Sequence, residues 1–180
     1  MMPSDNDIVS DFVRLQAIQN LTVAPSAVIP RHVYEKVGGF CEQLSHTPDW
    51  EMWFRAGLNG KVVTLSKPYS CYRIHSNSDT SRLVLSGENI RESVRAVDIC
   101  LAQLPKQIQK ELKSQKYHWS SLIASRLSRK LAAQQKWKSS LIQACLAVKL
   151  WKTKSNIKLL IKTVFMYIKF KLGLIKIQNE

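Results

Sequence analysis

The fold of this 180-residue chain is decided by residues 25–81, which read PSAVIPRHVYEKVGGFCEQLSHTPDWEMWFRAGLNGKVVTLSKPYSCYRIHSNSDTS. Two stretches of this segment, at 61–65 and 69–75, are rich in β-branched and aromatic residues and predict strands. A third, shorter strand is predicted at 27–29. Helical patterns lie between these strands, at 31–37 and from residue 47 to about residue 58. The segment therefore predicts a mixed α/β fold with short elements.

Local signals set the ends of the two predicted helices. Gly38 and Gly39 stop the first helix, because glycine readily takes the left-handed conformation that often ends a helix. Thr47 can cap the second helix, and Pro48 suits its first turn. The apolar residues that follow recur at helical spacing and predict one buried face. They are Trp50, Trp53, Phe54, Gly57 and Leu58.

Outside residues 25–81, the chain is predicted to be helical. A short amphipathic helix is expected at 8–19. A boundary is placed near residue 85, between a partial α/β domain at 1–85 and a basic α-helical tail at 86–180. The predicted helices of the tail span residues 86–104, 105–114, 117–132, 135–151 and 156–177.

The charge of the chain is divided unequally between its halves. Residues 1–90 hold eight Lys and Arg and nine Asp and Glu, whereas residues 91–180 hold nineteen and four. The whole basic excess therefore lies in the second half, which predicts an anionic partner, either a membrane or nucleic acid. Because no recognised nucleic-acid-binding motif accompanies this charge, nucleic acid is the weaker expectation.

The cysteines and the N-terminal residues bear on location. The four cysteines lie far apart in the sequence, with no spacing typical of a zinc site or of a disulfide framework. Reduced thiols, as in the cytoplasm, are the simpler interpretation. Residues 1–12 are acidic and polar and do not resemble a signal peptide. The sequence predicts a cytoplasmic protein, peripheral on the inner face of the membrane if the tail binds lipid.

The order of motifs in residues 25–81 resembles the C-terminal, acceptor-side half of a family 2 glycosyltransferase domain of GT-A fold. The shared features are an Arg-led helix ending in Val-Gly-Gly-Phe (31–40), an Asp-Trp helix start (49–50), a strand followed by a turn with Pro68, and Tyr-Arg-Ile-His (72–75). Together they cover about a third of the chain. The resemblance implies a partial GT-A-like α/β domain. It also implies inverting transfer of a sugar from a nucleotide-sugar donor to an acceptor hydroxyl.

The resemblance implies roles for individual residues. Asp49 takes the place of the general base that removes the acceptor proton. The alternative is that Asp49 only complements the helix dipole. One departure is Pro48, which stands where the family usually has a second carboxylate. The implied acceptor-side loop residues are Gly38, Gly39, Phe40, Trp50 and Trp53, although a helix stop and a core aromatic explain Gly38–Phe40 as well.

A cofactor is implied in the same way. His75 and Arg73 take places near the metal or the diphosphate, and the implied cofactor is a divalent cation, Mg²⁺ or Mn²⁺, in the completed site. A guanidinium suits phosphate oxygens. The alternative for His75 is a structural hydrogen bond at the end of a strand.

The nucleotide-binding half of such a domain is not found in these residues. Only 24 residues precede the resemblance, too few for the βαβ units that bind a nucleotide. Asp5-Asn6-Asp7 has the letters of a metal-binding Asp-x-Asp but follows no apolar strand. The prediction is a glycosyltransferase fragment that binds a glycan or lipid-linked acceptor and needs a separately encoded N-terminal half for activity. The alternative is a non-catalytic membrane-surface or scaffold protein derived from such an enzyme.

The last predicted helix, 156–177, places its lysines along one line. Lys158, Lys162, Lys169 and Lys176 fall within about 40° of that line at 100° per residue, and large apolar residues cover most of the remaining circumference. Lysines recur too often here for a transmembrane span. Such a helix is expected to lie in the plane of an anionic membrane. The alternative is a core-packed helix with one solvated lysine face.

Overall fold

The computed structural model describes residues 11–65, 67–73, 75 and 78–175, which divide into two compact units. Of these residues, unit 1 comprises those up to His75 together with Glu92–Lys116. Unit 2 comprises residues 78–91 and 117–175. The boundary predicted near residue 85 lies inside a helix of unit 2.

The described regular structure is entirely helical. A short 3-10 helix spans Ala24–Ser26. The α-helices are α1 (Asp11–Ile18), α2 (Arg31–Val37), α3 (Pro48–Asn59), α4 (Asp79–Ser86), α5 (Glu88–Leu101), α6 (Lys106–Ala133), α7 (Trp137–Leu150) and α8 (Lys154–Lys171).

The predicted α/β fold is wrong, because the described part of the chain contains no strand. Residues 27–29, 61–65 and the described residues of 69–75 have no regular structure. A strand is stable only when a neighbouring strand completes its backbone hydrogen bonds, and no such neighbour occurs among the described residues. Their apolar side chains face solvent: Val63 is 79%, Leu65 71% and Tyr69 75% exposed. A β-branched composition shows that the side chains suit a strand, but it does not show that a second strand is present to pair with it.

The predicted helices of the first half are confirmed. Helix α1 lies within the predicted 8–19, and α2 spans the predicted 31–37. Helix α3 begins at Pro48, as its sequence predicts. Gly38 follows α2 with φ +85° and an extended ψ, a combination that only glycine adopts without strain.

The tail is helical as predicted, with different helix ends. The helix predicted at 86–104 is α5, and a helix that was not predicted, α4, precedes it; Gly87, whose φ is +78°, separates the two. A Cβ at this position would lie 2.7 Å from Ile142 Cγ2 and 2.8 Å from Leu146 Cδ1, so only glycine permits this approach. The two helices predicted at 105–114 and 117–132 are one continuous helix, α6.

Each unit has its own core. In unit 1, α1 and α2 pack against α3, and the buried cluster comprises Val13, Ala17, Trp50, Phe54, Val97, Cys100, Leu101, Leu104 and Leu112. In unit 2, α4 and α8 pack against α7, and the buried cluster comprises Ile90, Ala124, Leu146 and Ala147.

Candidate functional site

The candidate site in unit 1 is built around the first turn of α3, which carries Asp49. The Asp49 carboxylate is half-buried, and its Oδ1 accepts a hydrogen bond of 2.7 Å from the backbone N–H of Trp50. Burial raises the pKa of Asp49 above its usual value, and hydrogen bonds from Trp50 and the Asn20 side chain only partly offset this effect. Asp49 therefore accepts a proton more readily than an exposed aspartate does.

A second carboxylate fixes the backbone where α3 begins. The Thr47 side chain makes no capping hydrogen bond to α3. Instead, Glu92 Oε1 accepts hydrogen bonds from the backbone N–H groups of His46 and Thr47, the latter at 2.8 Å, and from Thr47 Oγ1 at 3.1 Å. Glu92 is only 3% exposed. A buried negative charge therefore satisfies orphan N–H groups just before the positive end of the helix dipole.

A pair of reciprocal hydrogen bonds locks α1 to α3 beside Asp49. The Trp50 indole donates to the backbone carbonyl of Gln16. The buried Gln16 amide donates back to the Trp50 carbonyl at 3.4 Å and to Asn20 Oδ1 at 3.0 Å. Asn20 also lowers the pKa of Asp49, so this network borders the carboxylate.

A buried lysine lies over the ring of the same tryptophan. Lys116 is 1% exposed, and its Nζ lies 4.0 Å from the centroid of the Trp50 ring. Burial lowers the pKa of Lys116 to about 7. The Cys100 thiol is buried nearby, and burial raises its pKa, so it stays protonated. Lys116 therefore gains or loses its charge close to neutral pH.

The glycine loop that follows α2 is fastened to α3 by Arg55. The guanidinium donates to the carbonyls of Val37 and Gly39, the latter at 2.6 Å. It also makes a two-point ion pair with the buried Glu51, at 2.5 and 2.8 Å. A planar, forked donor set can make all these bonds together, whereas a lysine cannot.

This loop presents an aromatic surface. Phe40 is 51% exposed, and its ring packs edge-on against Trp53 with a centroid distance of 6.0 Å. Its other neighbour is Tyr34, at 6.5 Å. Trp53 lies one helical turn after Asp49, so the two residues share a face of α3.

The structure thus brings some of the predicted residues together on and around α3. They are Gly38, Gly39, Phe40, Asp49, Trp50 and Trp53. Arg73 and His75 are exposed, on a segment without regular structure, and neither is a hydrogen-bond partner of Asp49. The described residues form no cluster of His, Cys, Asp or Glu that could hold a metal ion.

The predicted membrane-facing lysines belong to unit 2. Lys158, Lys162 and Lys169 lie on α8, and Lys176 lies outside the described residues.

Sequence analysis missed Gln16, Glu92 and Lys116. Each reaches Trp50 or the start of α3 from a helix more than 30 positions away in the sequence. No local pattern marks them, since Glu92 resembles any helix carboxylate and Lys116 lies in a basic run.

Comparison of the chain with protein-family models, with curated proteins and with solved structures finds no match. A functional assignment therefore depends on the residues and the geometry described above.

Proposed function

We propose that this chain is the acceptor-side part of an inverting, family 2-like glycosyltransferase. It transfers sugar only together with a donor-binding part that these 180 residues do not contain. The observation that carries the proposal is the half-buried Asp49 carboxylate in the first turn of α3, whose pKa is raised by burial. A general base is most effective when its pKa approaches the working pH, so this shift favours proton removal.

The chemistry assigned to Asp49 is a single proton transfer. The carboxylate accepts the proton of an acceptor hydroxyl while the hydroxyl oxygen attacks the anomeric carbon of the nucleotide sugar. The bond between that carbon and the diphosphate oxygen breaks, and its electron pair leaves with the diphosphate. Attack from the face opposite the leaving group inverts the anomeric centre, as in inverting hydrolysis with water replaced by the acceptor.

The surroundings of Asp49 suit an acceptor. The exposed Phe40 ring, backed by the buried Trp53, offers an aromatic surface on which the apolar face of a sugar can pack. Arg55 holds the loop that carries Phe40 in place, which fixes the geometry of this surface.

The exposed segment after α3 supports the need for a second part. Val63, Leu65 and Tyr69 present apolar side chains to solvent within seven residues of sequence. Clustered exposed apolar residues usually mark a surface that another polypeptide covers. We assign this surface to the donor-binding part.

The implied cation is assigned to no residue set of this chain. Since the described residues form no cluster that could hold a metal ion, no step above depends on a metal held here. The roles of Arg73 and His75 toward a cation or a diphosphate stay predictions for the assembled enzyme.

The test begins with the coding DNA directly upstream of Met1. A reading frame there that predicts βαβ units and an Asp-x-Asp is co-expressed with the chain, and transfer from a panel of UDP- and GDP-sugars is measured. We expect no turnover by the chain alone and measurable turnover by the pair. Asp49→Asn should lower kcat by about 10²- to 10⁴-fold, the usual contribution of a general base. Asp79→Asn, in the first turn of α4, is the matched control and should leave kcat unchanged.

Three results would overturn the proposal. Turnover by the chain alone would show that no second part is needed. Full activity of the pair with Asp49→Asn would remove Asp49 from the base role. Absence of such a reading frame, together with no saturable binding of nucleotide sugar or oligosaccharide, would leave the non-catalytic alternative.

A further inference from the structure

Helix α8 in unit 2 has two different apolar faces. One face packs within the unit, where Asn156 and Thr163 are buried and Leu159, Leu160 and Phe170 are partly buried. The other face is exposed, and from Ile157 onward it is apolar. We call it the apolar stripe; it comprises Ile157, Ile161, Val164, Phe165, Ile168 and Leu172.

The apolar stripe is continuous and well exposed. At 100° per residue its members cover about 100° of the helix circumference. Ile161 is 65%, Phe165 56% and Leu172 68% exposed. Solvent-exposed apolar residues normally occur singly, so a stripe of four turns indicates a surface that is covered in the working protein.

Lysines border the apolar stripe along one edge. Lys158, Lys162 and Lys169 project about 90° from its centre, between the stripe and the packed face. Lys169 Nζ lies 4.5 Å from the centroid of the Phe165 ring, so the two kinds of side chain are in contact. The sequence predicted the lysine row but could not divide the apolar residues into a packed face and an exposed one.

The charged side chains in the sequence around α8 are all positive. Residues 112–179 contain no Asp or Glu and fifteen Lys and Arg. The two described carboxylates of unit 2, Asp79 and Glu88, form ion pairs with Arg82 and Arg91. No described acidic group of unit 2 is therefore left to neutralise the lysines of α8.

We propose that the apolar stripe and its bordering lysines dock on an anionic lipid membrane, with α8 lying in the plane of the interface. An apolar face inserted among the acyl chains and a lysine row level with the headgroups are the two features of such helices. None of the helices in the described part of the chain is long and apolar enough to cross a bilayer. The proposal does not depend on the function assigned to Asp49.

A second copy of the chain fits this surface less well. Two stripes packed on each other would bring two lysine rows to one interface, and residues 112–179 offer no carboxylate to offset them. An anionic lipid surface offsets that charge and covers the apolar side chains at the same time.

The experiment is flotation of the full chain with vesicles, at low and at high salt. We expect binding to vesicles of phosphatidylcholine with 30% phosphatidylglycerol, weaker binding as salt rises, and little binding to phosphatidylcholine alone. Replacing Lys158, Lys162 and Lys169 by Gln should weaken binding on the order of 100-fold, since each lysine near an anionic surface contributes several-fold. Replacing Lys106, Lys136 and Lys138 by Gln removes the same charge elsewhere and should weaken binding far less.

A second measurement reports which face meets the lipid. The exposed Cys71 and Cys145 are first replaced by Ser. An environment-sensitive dye is then attached through Ile161→Cys on the stripe or Ser155→Cys on another exposed part of α8. The dye at 161 should shift to the blue with anionic vesicles and be quenched by brominated acyl chains, whereas the dye at 155 should respond little.

Several outcomes would overturn the proposal. Equal binding to neutral and anionic vesicles would show that charge is not the cause, and absence of binding would exclude a membrane partner. A concentration-dependent dimer that Ile161→Ser abolishes, without vesicle binding, would assign the stripe to a second copy. Circular dichroism and thermal melting of each variant show that the fold is kept, since every replaced side chain is exposed or half-exposed.

Discussion

In the part of the chain that the structure describes, unit 1 buries three charged side chains, whereas the buried polar side chains of unit 2 are all neutral. Among the described residues, the buried charged side chains are Glu51, Glu92 and Lys116, and all three belong to unit 1. The buried polar residues of unit 2 are hydroxyls and amides, namely Ser120, Ser121, Ser125, Ser128, Ser140, Gln143, Asn156 and Thr163. Both units are helical and of similar size, so the difference is one of chemistry and not of architecture.

The comparison indicates where each kind of function can arise. Removing a charge from water costs free energy, so buried charges need a compensating role in fastening or in chemistry. In unit 1 they surround the first turn of α3 and fasten its loop. In unit 2 the charges stay outside, as lysines on α8, where they can attract a partner at little cost to stability.

The difference between the two units predicts its largest change in the free energy of unfolding at Lys116, a buried charge of unit 1. Lys116→Met removes a buried amine and should stabilise the protein by about 3 kcal/mol near pH 7. Because the folded pKa is about 7 and the unfolded value is near 10.5, the unfolded chain binds more protons between these values. Wild-type stability therefore rises with pH across this window, and the advantage of the variant shrinks toward pH 10. Urea unfolding at pH 6, 8 and 10 measures both effects.

Lys113→Met is the matched control for this prediction. Lys113 lies on the same helix, is exposed, and forms a surface ion pair with Asp98 at 2.8 Å. Loss of this ion pair should change the free energy of unfolding by less than about 1 kcal/mol. The difference between Lys113→Met and wild type should not depend on pH in the way expected for Lys116→Met. A destabilised Lys116→Met protein would show that the ammonium stabilises unit 1 through Trp50. That result would contradict the expectation that this buried charge costs stability.

The second effect concerns the neutral interior of unit 2. The Asn156 amide donates to Ser121 Oγ and the Trp151 carbonyl, both at 2.8 Å, and its oxygen accepts from Ser125 Oγ at 2.7 Å. Asn156→Ala removes a hydrogen-bond partner from each of these groups, although Ser121 keeps its bond to the Ala147 carbonyl, and should destabilise unit 2 by about 2 kcal/mol at every pH. Thermal melting compared with Ser155→Ala, an exposed neighbour, measures this loss. A loss that varies with pH would indicate a buried charge in unit 2.

Sequence patterns predicted local features well and partners across the chain poorly. The end of α2 and the start of α3 were predictable because Gly38 and Pro48 act within one helical turn, although the side-chain cap expected from Thr47 does not form. The strands expected at 61–65 and 69–75 needed a neighbour, and β-branched composition does not supply one. The resemblance of the Asp-Trp helix start singled out Asp49, and its role as a base stays a prediction. No sequence pattern singled out Glu92 or Lys116, because they contact α3 from helices that are distant in the sequence. Helical periodicity does not predict such long-range contacts.

The smallest effect is expected at Asp49, where the proposed base has a cost in stability. Burial raises the folded pKa of Asp49, so the stability it contributes is full below the unfolded pKa near 3.8. That stability is lost as pH rises through the folded value. At pH 7 the charged carboxylate is therefore slightly unfavourable. Asp49→Asn should stabilise unit 1 by less than about 1 kcal/mol, a small figure because solvent screens a half-exposed group.

Urea unfolding of wild-type protein and Asp49→Asn between pH 4 and pH 7 checks the sign, with Asp79→Asn on the exposed first turn of α4 as the comparison. The gain at Asp49 should shrink as pH falls, because the wild-type carboxylate becomes protonated and the two side chains then differ little. A residue that improves stability when removed and abolishes sugar transfer in the same variant is kept for chemistry and not for folding. Destabilisation by Asp49→Asn at pH 7 would instead assign Asp49 to the helix dipole, and the buried charges of unit 1 would then serve only to fasten α3.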